Sequence, residues 1–209
     1  SEACDIAKFA QEIGANGILS IAPYYNKPTQ EGLYQHYETI AQSVEIPFML
    51  YNVPGRTGVD LLPETAIRLF DDVKNIYGIK EATGSLERAT AIISQRENFF
   101  VFSGDDSVDF AMLASGAKGI ISVTSNLVPN LKSKLVSSVM SGDFQTALKI
   151  HNDIFELNKV LFCESNPIPI KAAMYLSGLL DSLEFRLPLT NPSNETLEKL
   201  EKILKKYEE

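Results

Sequence analysis

Several features that mark other protein classes are missing from this 209-residue sequence. Only two cysteines occur, Cys4 and Cys163. No disulfide framework or zinc cluster can be built from two cysteines so far apart, so we expect both to be reduced thiols. Apolar runs such as GIISV are far too short to span a bilayer. The first residues also lack the basic start and apolar centre of a secretory signal, so we expect a cytoplasmic protein.

Positive charge is also scarce, since the formal net charge is -8 and the lysines are scattered. Nucleic-acid binding needs a basic stripe, so we expect no nucleic-acid partner. The sequence contains neither GxGxxG nor GxxxxGK, and its SGDD segment is acidic where a β/α barrel would hold phosphate, which disfavours a phosphorylated substrate. His36 and His151 have no partner at metal-ligand spacing, so we expect no metal site.

Five short apolar runs are the main pattern in the first part of the chain: GILSIAP, PFMLYNVP, IYGIKEA, FFVFSGDD and GIISVTSN. Nearly continuous apolar strands are typical of a parallel sheet that is buried on both faces. Amphipathic segments separate the runs, which recur roughly every 20 to 30 residues, as βα units do. After Asn126 every amphipathic segment has helical spacing. The sequence therefore predicts an α/β fold followed by a helical region.

Polar or reactive side chains end every predicted strand. They are Tyr24, Tyr25, Tyr51, Asn52, Lys80, Glu81, Asp105, Asp106 and the segment from Thr124 to Asn126. The carboxyl ends of parallel strands meet at one edge of a sheet, and that edge carries the active site in β/α barrels and open α/β sheets. The alternative is that some of these residues, such as Asp105, Asp106 and Ser125, only form turns and helix caps.

The segment NIYGIKEATG places Lys80 at the end of an apolar strand. Burial disfavours an ammonium ion, and a neutral amine can attack a carbonyl to form a Schiff base. Tyr51 ends the preceding strand, so we expect its phenol close to Lys80, where it can move the protons that imine formation requires. The alternative is that Lys80 reaches water beside Glu81 as an ion pair.

Two other cations are candidates for the same site. Lys171 also lies among apolar residues, but on a predicted helix beyond the last strand, so we expect it to be structural. Arg56, in YNVPGRTG, follows Tyr51 closely, and its guanidinium is suited to hold a carboxylate. The alternative for Arg56 is a surface arginine in a glycine-containing turn.

The successive segments APYYNKPTQEGLYQHY, LYNVPGRTG, GIKEATG, SGDD, GIISVTSN and ESNPIPIKAAM resemble the motifs of the dihydrodipicolinate synthase family, one of the pyruvate-dependent class I aldolases and lyases. The resemblance implies a (β/α)8 TIM barrel and a C-terminal helical region. Residues 1–142 would supply barrel strands four to eight, and residues 143–209 the helical region. It also implies a homotetramer of two tight dimers.

The resemblance further implies a reaction, the condensation of pyruvate with L-aspartate 4-semialdehyde in the diaminopimelate route to lysine. By motif position, Lys80 matches the Schiff-base lysine, which needs no dissociable cofactor. Tyr51 matches the tyrosine that passes protons during imine formation and cyclisation. Tyr25 matches the member of the proton relay that reaches into the neighbouring subunit's site.

Three further positions carry binding roles in the family. Arg56 matches the arginine that receives the carboxylate of the semialdehyde. Ile121 matches a residue whose main chain contacts pyruvate. Tyr24 matches a residue of the pocket where lysine binds as an inhibitor in regulated members. These assignments are implied by the resemblance alone.

The family's first three strands and its GTTGE-type loop have no counterpart here, so we expect a missing N-terminal segment or a partner chain. Two alternatives to the synthase stay open. One is a lyase for N-acetylneuraminate or a 2-keto-3-deoxy sugar acid, which would share Tyr51 and Lys80. Arg56 disfavours that lyase, because a polyhydroxylated aldehyde carries no carboxylate for it. The other is an inactive fragment or non-catalytic homologue that serves only in assembly.

Overall fold

A computed structural model of the chain describes residues 1–207. The chain divides into two compact units, the first spanning Ser1–Ile121 and the second beginning at Ser122. The predicted boundary between residues 142 and 143, which separates barrel from helical region, stays a prediction. Within residues 1–207, no helix is both long enough and apolar enough to cross a membrane.

The first unit is built on a sheet of five parallel strands in the order of the chain. The strands are β1 (Ile18–Ile21), β2 (Phe48–Asn52), β3 (Ile76–Glu81), β4 (Phe100–Ser103) and β5 (Gly119–Ile120). Each predicted apolar run contains one strand. Because the strands are parallel and consecutive, β1 and β5 form the two edges of the sheet, and all carboxyl ends lie at one side.

Six helices accompany these strands. They are α1 (Glu2–Glu12), α2 (Gln30–Ala41), α3 (Pro54–Thr57), α4 (Pro63–Asp72), α5 (Leu86–Ile93) and α6 (Asp109–Ala114). Their starts follow local chemistry: the side chains of Thr29 and Ser85 accept hydrogen bonds from the first turns of α2 and α5. Proline occupies the first turn of α3 and of α4, where no amide donor is needed.

The core of the first unit lies between the sheet and its helices. Phe48, Leu50, Ile76 and Ile79 are nearly or fully buried within the sheet, as an apolar parallel strand should be. Tyr37 of α2 is also fully buried, and its hydroxyl donates to the carbonyl oxygens at the end of β2 and β1. This packing fixes the strands whose carboxyl ends carry the predicted site.

Two local predictions need correction. The run GIISVTSN was predicted as one strand, but β5 contains only two residues and Thr124–Asn126 form a 3-10 turn. The Ser122 side chain accepts from the Ser125 amide at 2.9 Å, so a serine's local bonding replaces the strand ladder. The segment after Tyr51 is also not a plain turn, because Pro54–Thr57 form one helical turn that Gly58 ends at φ 70°.

The second unit is helical in its described residues, as predicted. Its helices are α7 (Pro129–Met140), α8 (Phe144–Val160), α9 (Ile168–Leu176) and α10 (Asn194–Leu204). Leu157, Leu161, Ala173 and Leu200 form the centre of its apolar core. Asp143 and Ser193 cap α8 and α10 through their side chains.

Candidate active site

The carboxyl ends of β2 and β3 bring the two predicted catalytic side chains together. Tyr51 and Lys80 are direct partners in the parallel register of these strands. The Lys80 Nζ lies 4.2 Å from the centroid of the Tyr51 ring, within the range of a cation–π contact. Both side chains are partly buried. A single amine thus stands beside a single phenol at the edge where active sites of this architecture lie.

The neighbour of Lys80 in β3 faces the other way. Successive side chains of a strand point to opposite faces, so Glu81 points away from Lys80. Glu81 is fully buried, and its carboxylate pairs with the Arg88 guanidinium at 3.3 Å. The alternative of a rim ion pair between Lys80 and Glu81 is therefore wrong, because strand alternation and burial commit Glu81 to Arg88.

The surroundings of Lys80 favour the neutral amine. Burial lowers the pKa of Lys80, the negative charge of Asp106 raises it, and the positive charge of Arg56 lowers it further. Burial also raises the pKa of Tyr51, while Arg56 opposes that rise. At neutral pH the phenol therefore keeps its proton, while Lys80 loses its proton at a lower pH than a free lysine does.

Gly104 forms a wall beside the lysine, and sequence reasoning did not identify it. Its amide donates to the Glu81 carbonyl at 2.9 Å, which brings the backbone after β4 close to the end of β3. A Cβ on Gly104 would lie 2.8 Å from the Lys80 Cε and 2.7 Å from the Ala82 Cβ. Only glycine fits this approach without a shift. The glycine within SGDD is the sequence signal that could have identified this close approach.

The two predicted substrate-binding residues lie in the same unit. Arg56 is exposed on α3, and its charge acts on the pKa values of both Lys80 and Tyr51. Ile121 follows β5, and its amide donates to the Ser103 carbonyl at 2.8 Å, which extends the ladder by one bond. The Arg56 guanidinium and the backbone of Ile121 therefore both lie at the carboxyl side of the sheet.

Tyr24 and Tyr25 follow β1 in an exposed loop. The exposed fraction of Tyr24 is 68% and that of Tyr25 is 93%. Tyr25 has φ 68° and Lys27 has φ 45°, conformations that are uncommon for bulky residues. Tyr25 does not pack against Lys80 within this chain, because a side chain that is 93% exposed makes few contacts with the rest of the chain.

Two of the other polar strand-end residues serve local turns. The Asp105 carboxylate accepts from the amide of Ser107 at 3.0 Å and from its hydroxyl at 2.6 Å. The Ser125 hydroxyl donates to the Ser122 carbonyl at 2.9 Å. The turn-forming alternative therefore describes Asp105 and Ser125. Asp106 is different, because its side chain is buried and its charge acts on the pKa of Lys80.

The competing lysine and the histidines have other surroundings. Lys171 lies on α9 of the second unit, where its Nζ donates to the Glu184 carbonyl and stands 4.8 Å from the Phe185 ring centroid. His36 and His151 are partly buried, and burial lowers the pKa of each. Among residues 1–207, no group of three His, Cys, Asp or Glu side chains could hold a metal ion.

We expect the reaction of Lys80 with pyruvate to depend on pH in a defined direction. Only the neutral amine attacks a carbonyl, so the rate should rise as Lys80 loses its proton. Because burial lowers this pKa, the rise should occur below the ordinary lysine value of about 10.4. The measurement is the rate of borohydride trapping of the pyruvate adduct from pH 6 to 11 in roughly half-unit steps. A midpoint at or above that of a lysine peptide would contradict the effect of burial.

A partly buried lysine at the carboxyl edge of a parallel β/α sheet, with a phenol beside it, is the arrangement expected of Schiff-base aldolases and lyases. The model of the dihydrodipicolinate synthetase family matches residues 1–207. The chain belongs to this family.

Individual relatives agree with the family match. The protein named 4-hydroxy-tetrahydrodipicolinate synthase from Aliarcobacter butzleri (strain RM4018) is 85% identical over 207 residues, which cover 99% of this chain and 70% of that protein. The crystal structure of dihydrodipicolinate synthase from Aquifex aeolicus matches with a TM-score of 0.96 at 46% identity, covering 99% of this chain and 70% of that one. The chloride-inhibited synthase from Acinetobacter baumannii, in complex with pyruvate, matches with a TM-score of 0.94 at 48% identity, covering 98% and 70%.

These matches confirm the predicted family and the predicted fold class, the last five strands of a TIM barrel with a C-terminal helical region. They also favour the synthase over the sugar-acid lyase, because the relatives of high identity carry the synthase name. The chain spans about 70% of the length of these relatives.

Proposed function

We propose that Lys80 and Tyr51 form the imine-forming centre of a 4-hydroxy-tetrahydrodipicolinate synthase, which condenses pyruvate with L-aspartate 4-semialdehyde. The observation that carries the proposal is the 4.2 Å distance from the Lys80 Nζ to the Tyr51 ring centroid at the carboxyl edge of the sheet. The synthase name of the 85% identical relative supports the reaction. The pyruvate complex of the Acinetobacter baumannii relative supports the first substrate.

The chemistry follows from these two groups. The neutral Lys80 amine attacks the ketone carbon of pyruvate, and Tyr51 donates a proton to the oxygen that becomes hydroxyl. Loss of water gives an iminium, and loss of a proton from the methyl group gives an enamine. The enamine carbon then attacks the aldehyde carbon of the semialdehyde, whose oxygen takes up a proton. The substrate's own amine next attacks the imine carbon, which closes the ring and releases Lys80.

No dissociable cofactor has a role in this sequence, because the iminium nitrogen accepts the electron pair that the methyl carbon releases. Arg56 would hold the carboxylate of the semialdehyde, since a guanidinium binds a carboxylate through two parallel hydrogen bonds. The backbone at Ile121 would contact pyruvate. Both assignments fit residues that lie at the carboxyl side of the sheet.

The exposed loop after β1 supports an assembly of more than one subunit. Tyr25 is 93% exposed and holds a left-handed backbone conformation, as expected of a side chain that another subunit covers. Its proposed role is the proton relay of a neighbouring subunit within a tetramer of two dimers. Tyr24, 68% exposed, would belong to an effector pocket for lysine. We propose a cytoplasmic location, which suits the two free cysteines.

The experiment is intact-mass spectrometry before and after treatment with pyruvate and borohydride, followed by peptide mapping. One stable adduct on Lys80 is expected, because its amine is the nucleophile with the lowered pKa. The peptide that contains Lys171 is the internal control, since that lysine also lies near an aromatic ring. An adduct on Lys171, or none on folded protein, would contradict the proposal.

Arg56→Lys tests the second substrate. The change keeps the positive charge but removes the two-point contact with a carboxylate, so the KM for L-aspartate 4-semialdehyde should rise about tenfold. Trapping of pyruvate on Lys80 should change little. The measurement is steady-state kinetics with the semialdehyde, in competition with polyhydroxylated sugar aldehydes.

Arg68→Lys is the matched control, because Arg68 pairs with Glu31 at 2.7 Å on the exposed surface of the same unit. An unchanged KM in Arg56→Lys would remove Arg56 from the binding site. A sugar aldehyde that outcompetes the semialdehyde would favour the lyase instead of the synthase.

A further inference from the structure

A second polar cluster lies on the opposite face of β2 and β3 from Lys80. It consists of Asn52, Asp60, Glu81 and Arg88, here called the Arg88 cluster. The Asn52 side-chain amide donates to Asp60 at 2.8 Å and to Glu81 at 3.3 Å. Arg88, on α5, donates to Glu81 at 3.3 Å and to Asp60 at 3.0 Å. The family resemblance implies no role for any of these four residues.

Three members of the Arg88 cluster are largely buried, while the Asp60 side chain is 39% exposed. Asn52 and Glu81 are fully buried, and the Arg88 side chain is only 15% exposed. Glu81 also accepts from the Thr83 amide at 2.9 Å. Two carboxylates and one guanidinium are thus held among fixed donors and acceptors. Removing one partner of a buried ion pair leaves an uncompensated charge, so this cluster tolerates only a narrow set of geometries.

The Arg88 cluster is coupled directly to the candidate active site. Asn52 and Glu81 are register partners, and each is the residue immediately after Tyr51 or Lys80. The cluster therefore holds the two strand ends on which the phenol and the amine stand. Because adjacent side chains of a strand share one backbone, a shift of Glu81 also displaces Lys80.

The same cluster also anchors the segment that carries Arg56. The Leu61 amide donates to the Asn52 side chain at 3.0 Å, and the Leu61 carbonyl accepts from Arg88 at 2.6 Å. These bonds tie the far end of the 53–61 segment back to the end of β2. Arg56 lies on α3 in the middle of this segment, so its position depends on both anchors.

We propose that Arg88 and Glu81 are positioning residues, which set the rate of imine formation by holding Lys80, Tyr51 and Arg56 in register. The proposal rests on the proposed role of Lys80 in forming a Schiff base. Neither Arg88 nor Glu81 touches the substrate in it. They act through the strand ends, since a misplacement of about 1 Å at a reacting pair can cost up to about a hundredfold in rate.

A positioning role predicts a change in the pH profile. Burial at the strand ends has the largest effect on the pKa of Lys80, and two charged groups also act on it, Asp106 after β4 and Arg56 on α3. If the strand ends loosen, water reaches Lys80 and raises its pKa. Movement of Arg56 away from Lys80 raises the pKa of Lys80 as well. Withdrawal of Asp106 would lower it, but burial is the largest influence. The midpoint of trapping should therefore move to higher pH.

The test compares Glu81→Gln, Arg88→Gln and Arg88→Lys with the unaltered full chain, in the assembly that it forms. The measured quantity is the rate of borohydride trapping with pyruvate across pH. Glu81→Gln keeps the size of the side chain and an acceptor for the Thr83 amide, and it places an amide nitrogen against the Asn52 and Arg88 donors. We expect Glu81→Gln and Arg88→Gln to lower the plateau rate about tenfold and to move the midpoint to higher pH. Arg88→Lys, which keeps the charge, should restore part of the rate.

Arg96→Gln is the matched control, because Arg96 forms a two-point pair with Asp71, both contacts at 2.7 Å, on the surface of the same unit. It should trap pyruvate like the unaltered chain. Folding of each variant is checked by circular dichroism and thermal unfolding, and Glu81→Gln decides the question if Arg88→Gln does not fold. A folded Glu81→Gln with unaltered plateau and midpoint would overturn the proposal, even if its unfolding temperature fell. Absence of any adduct in the unaltered chain would instead refute the role of Lys80 itself.

Discussion

Replacement of Lys80 by methionine is expected to abolish the pyruvate adduct and to lower turnover by about 10⁴-fold or more, as losses of an essential nucleophile do. Methionine has a similar length but no amine, so neither imine nor enamine can form. The partly buried side chain would still pack against Tyr51 and Gly104. The measurements are peptide mapping after pyruvate and borohydride, and turnover with both substrates.

Stability separates this effect from misfolding. Burial lowers the pKa of Lys80, so the folded protein holds the charged amine less well than the unfolded chain does. Below the folded-state pKa, Lys80 therefore destabilises the fold, and Lys80→Met should unfold at an equal or higher temperature near neutral pH. Lys74→Met, at an exposed position before β3, is the control. An adduct that persists in Lys80→Met would place the Schiff base on another lysine.

Replacement of Gly104 by alanine should lower the rate of pyruvate trapping about a hundredfold, because an added methyl group misplaces the nucleophile. A Cβ at this position would lie 2.8 Å from the Lys80 Cε and 2.7 Å from the Ala82 Cβ. Ala82 has no rotamer to change, so the backbone at Gly104 or at Ala82 must shift, and the Lys80 side chain must also move. Overpacking of this kind should also cost about 1–3 kcal/mol of stability.

Gly55→Ala is the control for Gly104→Ala. Gly55 lies on α3 of the same unit, and an added Cβ there has no atom within 4 Å. Trapping rates are compared at saturating pyruvate and at the plateau of each pH profile. If Gly104→Ala traps pyruvate at the unaltered rate, Lys80 can adopt another productive rotamer and Gly104 does not determine its position.

Much of the fold could be read from local patterns. Apolar runs with helical segments between them predicted all five strands, because a strand buried on both faces needs a continuous apolar sequence. The limits were at the ends of elements. The run GIISVTSN contains a strand of only two residues, because two hydrogen bonds form a turn after it. The Ser125 amide donates to the Ser122 hydroxyl oxygen, and the Ser125 hydroxyl donates to the Ser122 carbonyl. Local side-chain bonding of this kind competes with the ladder and is invisible to apolar periodicity.

The candidate site was predictable in part. Lys80 stands out because a lysine in an apolar strand needs a reason, and Tyr51 follows from the adjacency of consecutive parallel strands. The register of β2 and β3 then decided how closely the Lys80 amine and the Tyr51 ring approach each other. Gly104 and Arg88 stand out less in the sequence, because each contacts a residue more than 20 positions away, Lys80 for Gly104 and Asp60 for Arg88.

The sequence by itself determined the parallel α/β architecture and the residues that supply an amine, a phenol and a guanidinium, because apolar runs and their spacing encode these features directly. Its motifs carried the resemblance that points to the family. Tertiary structure alone decided that Glu81 faces Arg88 instead of pairing with Lys80, and that Gly104 leaves space for the lysine side chain. The physical reason is that burial and close approach depend on residues distant in the chain. The pKa of Lys80 is lowered by the same burial, which exists only once β2, β3 and β4 are side by side.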